Sequence, residues 1–325
     1  MACLKPFLLA VLSAIALAGP FDAFAQRYPS RPIKVIVPLP PGGGQDLVAR
    51  AVSERLAVRL GQTFVIENKP GATGNIGTEA AAKSPTDGYT LLLSGVSSSA
   101  IGLAYYRKLG YDIRRDFAPI TMIGHGTSVL IVTPGLKAAS VAELIALAKA
   151  KPGELNFASN GAGGFFHLTG EMFKQMAGID AVYVPYKGTA QFVPDIMDGR
   201  ISFAIDNVPA YLPHIKTGKV RALAVATRER SPLLPDLPTM AEAGLPGFEA
   251  AAVYALLAPL GTPKEIVALL HRETNVVLAQ PELREKLAAQ GIVVYGSSPE
   301  ELQAFILGAV AKWAKVIKDA NIKPE

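Results

Sequence analysis

The sequence predicts an α/β protein of two lobes with a ligand cleft between them and two crossing strands, and three observations carry the prediction. Short apolar runs alternate with helical periods. That rhythm restarts after Pro134, and no long linker separates the two blocks. A chain of 325 residues, half of them hydrophobic, is long enough for two domains and buries an ample core without disulfides or metals.

The first block reads as strand Ile33–Val37, helix 47–60, strand 64–67, helix 76–83 and strand 89–94. Its first helix carries Val48, Val52, Leu56 and Leu60 four apart, with Leu47 and Ala51 beside them, which makes one apolar stripe for packing on a sheet. Gly61 stands where a helix-ending glycine belongs. The second block reads as helix Val141–Ala150, strand 155–159, helix Phe165–Ala177, strand 181–184, helix Thr189–Met197 and strand 201–205. A short helix 209–217 and a strand 220–226 follow. The proline-rich SPLLPDLPTMAEAGLPG then breaks the pattern before long helices from Pro263 onward. Trailing helices without a linker imply that the chain returns to the first block. The expected lobes are therefore 26–126 plus 228–325, and 127–227, with crossings near 120–133 and 221–228. Alternation implies parallel sheets, whose ligands sit beyond the carboxyl ends of strands.

Residues 1–25 stand apart from this plan. Lys5 precedes an apolar run from Phe7 to Ala18, a Gly19-Pro20 break and the triplet Ala23-Phe24-Ala25, which reads as a secretory signal peptide cleaved after Ala25. The run is shorter than the roughly 20 residues needed to span a bilayer. The chain is expected to be exported. Cys3 is the one cysteine and leaves with the leader, so disulfides, cysteine nucleophiles and thiolate metal sites are excluded from the mature chain. The formal charge of +5 is unchanged by cleavage, which removes one Lys and one Asp. Arg114-Arg115 and Arg228/Arg230 are the densest basic spots, and no aromatic-interleaved basic stripe suggests nucleic acid.

The stretch VPLPPGGGQDLVAR holds the main candidate site. Pro41, Gly42, Gly43 and Gly44 lie between the first strand and the first helix, with Asp46 expected as the helix N-cap. Glycines let backbone approach a ligand, and the free N–H groups of a helix's first turn favour an anion. The second block repeats the arrangement: Ser159 ends the strand LNFAS, Asn160, Gly161, Gly163 and Gly164 follow, and His167 lies in the first turn of the next helix. Neither loop contains Lys or Arg, so an anion there is held by backbone amides and helix dipoles, which favours a carboxylate over a polyphosphate. The phosphate-loop pattern lacks its Gly-Lys-Ser/Thr, and the dinucleotide pattern meets Phe166 where its third glycine belongs. Each loop taken alone also reads as an ordinary tight turn; it is the pair that favours binding.

Two further loops, PGATGNIG with Asn75 and SGVSSSA (94–100) with Ser97, extend the set, although Asn75 reads equally as a turn or cap residue and Ser97 more readily as one. Thr189, opening a helix, and Asp206, following a strand, complete it. A Ser159, His167 and Asp206 hydrolase is not supported by spacing. There is no G-x-S-x-G elbow and no H-E-x-x-H, and His125, His167, His214 and His271 show no metal-ligand spacing. The expectation is a protein with no catalytic residues, metal or cofactor.

A series of segments resembles the Bug family of tripartite tricarboxylate transporter substrate-binding proteins, also called TctC-like. It runs from YPSRPIKVIVPLPPGGGQD through ENKPGATGNIGTEAAAKSPTDGYTLL, ASNGAGGFFHLTGEMF, VPYKGTAQFVPDIMDGRISFAIDN, GKVRALAVAT and LPTMAEAGLPGFE to APLGTP, nearly the whole mature chain. The resemblance implies a type II-like periplasmic-binding fold closing around a small organic carboxylate. It also implies transient contact with integral membrane transporter subunits, and a monomer is expected. The family's carboxylate-binding loops map to 40–46 and 159–167, and some members bind uncharged compounds. Departures from the family pattern are Leu39, Gln45, Phe165-Phe166 and the Val253-Tyr254 stretch, where a Trp is expected. They make one end of the pocket more apolar and point toward an aromatic or bulky carboxylate. A binding protein that presents its closed form to a membrane sensor fits the same residues.

Overall fold

The computed structural model describes residues 28–323; the expected leader and its cleavage site lie outside the described residues. Along the chain, β1 (Ile33–Val37), α1 (Gly44–Leu60), β2 (Phe64–Asn68), α2 (Asn75–Ala82), β3 (Thr90–Gly95), α3 (Val96–Tyr105) and β4 (Phe117–Gly126) come first. Next are β5 (Ser128–Val132), α4 (Val141–Ala150), β6 (Asn156–Asn160), α5 (Phe165–Ala177), β7 (Val182–Tyr186), α6 (Thr189–Met197), β8 (Phe203–Asn207), α7 (Leu212–Lys216) and β9 (Arg221–Val225). The chain returns with β10 (Ala252–Pro259), α8 (Lys264–Leu278), α9 (Pro281–Ala288), β11 (Ile292–Val294) and α10 (Pro299–Asp319). Two sheets result, ordered β11-β4-β10-β3-β1-β2 and β7-β6-β8-β5-β9.

The sheets are mixed where alternation implied parallel ones. β1 pairs in parallel with β2 and β3, and β6 with β7 and β8, as βαβ units require. β10 is antiparallel to β3 and β4, and β5 is antiparallel to β8 and β9. The reason is the crossing itself. A strand that leaves one lobe toward its cleft edge enters the other lobe from that edge, against the direction of the strands already there.

The first crossing is the single residue Thr127 between β4 and β5. The second falls at 250–252 and not directly after 221–228. Residues 228–250 first fold back along β9, with Val225 N donating to Pro238 O and Met240 N to Val225 O, both at 2.9 Å. Met240, Leu245 and Phe248 then bury against α5 and β6 in the core around the second sheet. Only beyond the Ala250 N to Ala226 O bond does the chain enter β10.

Helix α1 shows how the sequence builds the first lobe. Val48, Val52 and Leu56 are at most 2% exposed and pack on Ile33, Val35 and Val37 of β1. Each such side chain contributes about 1.5–3 kcal/mol by burial. Helix α3 replaces the loop expected at 94–100. Its apolar period, Val96, Ala100 and Ile101, is buried, but Ser97 and Ser99 are buried as well, and Ser94 and Ser99 pair hydroxyl to hydroxyl at 2.8 Å. Satisfied inward serines hide the helical period from a hydropathy reading.

Helix α10 begins in a capping box: Ser298 Oγ accepts from Glu301 N at 3.1 Å, and Glu301 Oε2 accepts from Ser298 N at 2.7 Å. Its Leu302 and Ile306 bury with Leu92, Tyr111 and Leu257 of the first lobe, and its Ala309, Trp313 and Ile317 with Phe165 and Phe173 of the second.

Candidate anion site in the cleft

The β1–α1 loop opens the site. Gly42 takes φ +85°, a left-handed turn that suits glycine, and Gly43 is the N-cap of α1 in extended conformation. Asp46, expected as the cap, lies instead in the helix's first turn, because α1 starts three residues earlier than its apolar stripe. Its buried carboxylate reaches back to tie the loop: Oδ2 accepts from Gly42 N at 3.0 Å and Arg50 Nε at 2.9 Å, and Oδ1 from Asn68 Nδ2 at 3.1 Å. Burial alone would raise this carboxyl; the Arg50, Gly42 and Asn68 hydrogen bonds outweigh it and hold the group below the usual carboxylate range.

The first intrahelical bond runs from Leu47 N to Gly43 O, which leaves the amides of Gly44, Gln45 and Asp46 without intrahelical acceptors. Gly42, Gly43, Gly44 and Leu47 line a cavity of about 260 Å³. Across it stand Asn207, Pro209 and Ala210 from the end of β8, with Gly126, Tyr254, Gln290, Gly291 and Ile292 completing the wall. No charged side chain is among them. Pro41 is exposed at the rim of the loop.

The second-lobe loop differs from the first. Gly161 N donates to Tyr186 O at the end of β7, Gly164 N to Gly161 O and Gly163 N to His167 Nδ1, so these three amides are already spent. His167 caps the turn as a neutral acceptor, stacked at 3.9 Å on Tyr183, and burial lowers its pKa to about 4. Gly163, at φ +68°, presses on the Tyr105 ring of α3; Ser159 donates to Tyr183 OH at 3.2 Å, and Asn160 is exposed. Neither Asn160 nor the glycines of this loop line the cavity beside Gly42–Gly44.

The remaining candidates are committed elsewhere. Ser97 Oγ donates to Ala251 O at 3.0 Å and accepts from Val253 N at 3.4 Å, fastening α3 to the second crossing. Asn75 is buried; its Oδ1 accepts from Tyr111 OH at 2.7 Å while its Nδ2 has no partner among the described residues. Asp206 is 1% exposed, and its carboxylate accepts from Thr189 Oγ1 at 2.6 Å, Asn207 N at 2.7 Å and Tyr211 OH at 3.2 Å. Burial pushes Asp206 up to about 6 against the pull of those donors. Thr189 and Asp206 thus hold one another, and Asp206 fixes the backbone of Asn207 at the cavity wall.

Of the lining residues, sequence reasoning selected Gly42, Gly43 and Gly44 and missed, among others, the polar side chains of Asn207, Tyr254 and Gln290. Tyr254 lies in a strand distant in sequence from Gly44, and no local pattern announces that the two meet. Among the described residues no group of three or more His, Cys, Asp or Glu could hold a metal ion, and no helix is long and apolar enough to cross a membrane.

Two α/β lobes joined by crossing strands, with an uncharged cavity between them at a helix N-terminus, define a periplasmic-type solute-binding protein. Residues 48–322 match the profile of the tripartite tricarboxylate transporter family receptor. The chain is 42% identical to protein BugT of Bordetella pertussis, over 97% of this chain and 98% of that protein. It superposes on a Rhodopseudomonas palustris protein solved with adipate at TM-score 0.79 and 40% identity, covering 92% of this chain and 100% of that one. MatC from Rhodopseudomonas palustris with bound malate gives TM-score 0.74 and 30% identity, covering 89% and 100%. The chain therefore belongs to the TctC, or Bug, family of tripartite tricarboxylate transporter receptors. Its role is that of a solute-binding receptor of the periplasm, a family of receptors and not of enzymes.

Proposed function

We propose that this receptor captures a small organic carboxylate in the cleft and delivers it to the integral membrane subunits of a tripartite tricarboxylate-type transporter. The observation that carries the reading is the α1 N-terminus, where Gly44, whose amide has no intrahelical acceptor, lines a cavity that holds no charged side chain. A carboxylate there gains oriented donors and the positive end of a 17-residue helix without a buried counter-cation. The related proteins solved with adipate and malate support the ligand class. Gly42, Gly43 and Gly44 form the anchor; Asp46 and His167 hold the two loops in shape.

The mature protein starts at Gln26, works as a monomer without cofactor or chemical step, and closes one lobe on the other. We take residues 28–126 with most of the chain beyond 252 as the first lobe. Residues 127–250 form the second. Ligand touching both lobes only when they are closed favours the closed state by its differential affinity. Thermal unfolding of ligand-stripped protein against aliphatic, aromatic and amino-acid carboxylates, each with its amide, tests this. Ligand at about 100 times its dissociation constant adds roughly 2.7 kcal/mol. A carboxylate that raises the midpoint while its amide does not is the expected result. Stabilisation by neutral compounds alone would reject the carboxylate reading.

A further inference from the structure

The Tyr254 side chain is 6% exposed, and its hydroxyl has no hydrogen-bond partner among the described residues. The ring is buried, while the residue forms part of the cavity wall, so the hydroxyl is a donor left open to whatever the cavity holds. A Cβ on Gly44 would stand 2.5 Å from the hydroxyl, and one on Gly126 would stand 2.8 Å from it. Two glycines, one opening α1 and one ending β4, thus clear the space in which the hydroxyl sits, at the helix end and in the wall of the cavity. Burial pushes the phenol up to about 12, so it stays a protonated donor across the physiological range.

We propose that Tyr254 is a specificity-determining residue for the ligand, its hydroxyl donating to an oxygen of the same carboxylate that the α1 amides hold. The inference rests on the carboxylate reading above and adds to it the donor that separates an anionic oxygen from a neutral one. Amides and a phenol both donate, so the group between them must accept from both directions, which a carboxylate does with two oxygens and a primary amide with one. The rest of the ligand lies against Leu47, Pro209 and Ile292, with Asn207 the polar side chain reaching it from the second lobe. A cavity of about 260 Å³ falls below the roughly 300–1,000 Å³ of drug-sized sites and suits a short acid, against the bulky one expected from the departures at 39, 45 and 165–166, none of which lines it.

The test uses the carboxylate that gives the largest thermal shift with wild-type mature protein, or adipate and malate as fixed probes, measured by calorimetry. Tyr254→Phe keeps the ring and removes the hydroxyl. Carboxylate affinity is expected to fall by about tenfold or more, while the unliganded midpoint is unchanged or higher. A second variant, Gly126→Ala, keeps the hydroxyl but displaces it. Its loss of affinity is expected to disappear when it is combined with Tyr254→Phe, because a Phe ring has no hydroxyl to displace. Tyr254→Phe binding the acid as tightly as wild type, or a Gly126→Ala loss that persists undiminished in the double variant, overturns the assignment of Tyr254 and leaves the carboxylate reading standing. Wild-type protein that binds no carboxylate overturns both.

Discussion

Asp46 does more at its position than a cap would. Its carboxylate holds Gly42, Arg50 and Asn68 together, so Asp46→Ala leaves three donors without their acceptor. The expected cost is about 1–3 kcal/mol of stability by chemical denaturation, with a further loss of carboxylate affinity because the Gly42 turn is released. A variant that binds normally would show that the loop keeps its shape without this tie. Asp206 and His167 offer a different test, because their titrations oppose each other. Asp206, raised to about 6, binds its proton more tightly in the folded protein, so its contribution to stability falls as pH rises from about 4 to about 6. His167, lowered to about 4, resists its proton when folded, so stability falls as pH drops from 6.5 toward 4. Each slope amounts to about 3 kcal/mol at most. Urea unfolding between pH 4 and 6.5 should show Asp206→Asn losing stability on acidification more steeply than wild type, and His167→Gln losing less or gaining. Parallel profiles for all three proteins would mean that neither group titrates as its burial dictates.

At the scale of elements, the sequence was legible where an apolar period met a clear stop. Helices α4, α5 and α6 take the expected bounds because their amphipathic runs stop clearly, at the caps Lys151, Gly178 and Asp198. The start of α1 was displaced because glycine and glutamine carry no apolar signal, although Gly44 and Gln45 are already helical. Helix α3 was hidden by its inward serines. The unpaired hydroxyl of Tyr254 was beyond reach, since it depends on the register of β10 against β3 and β4. The two glycine loops also read alike in sequence yet do different work, and substitution separates them. Gly42→Ala meets open space and carries only the strain of φ +85°, about 1–2 kcal/mol. Gly163→Ala carries a similar strain, and its Cβ would stand 2.4 Å from the Tyr105 ring, which adds about 1–3 kcal/mol of overpacking. Equal losses in the two unfolding curves would mean that Tyr105 yields freely and that the contact between α3 and the second-lobe loop is slack.

Across the whole molecule, α10 is the element that closure must accommodate. Its first turns are buried in the first lobe and its later turns in the second, so the helix runs past the crossing at 250–252 like a brace. Trp313 is the chain's one tryptophan, and it meets the ring of Phe165, first residue of α5, edge-on at 5.5 Å. It also lines a cavity of about 190 Å³ beside Ser97, Ala251 and Gly308, next to the second crossing. Packed interfaces switch between discrete arrangements and do not deform smoothly. A rotation of the lobes therefore changes either the Phe165 contact or this cavity, and the indole senses both. Tryptophan emission is expected to change on adding the carboxylate and to saturate with the dissociation constant found by calorimetry. Gly308→Leu, which places a side chain into open space on the cavity wall, should alter that dissociation constant without touching the ligand. Emission that stays constant while X-ray scattering shows the protein contracting would place α10, Trp313 and α5 on one rigid body and move the hinge to Thr127 and β10 alone.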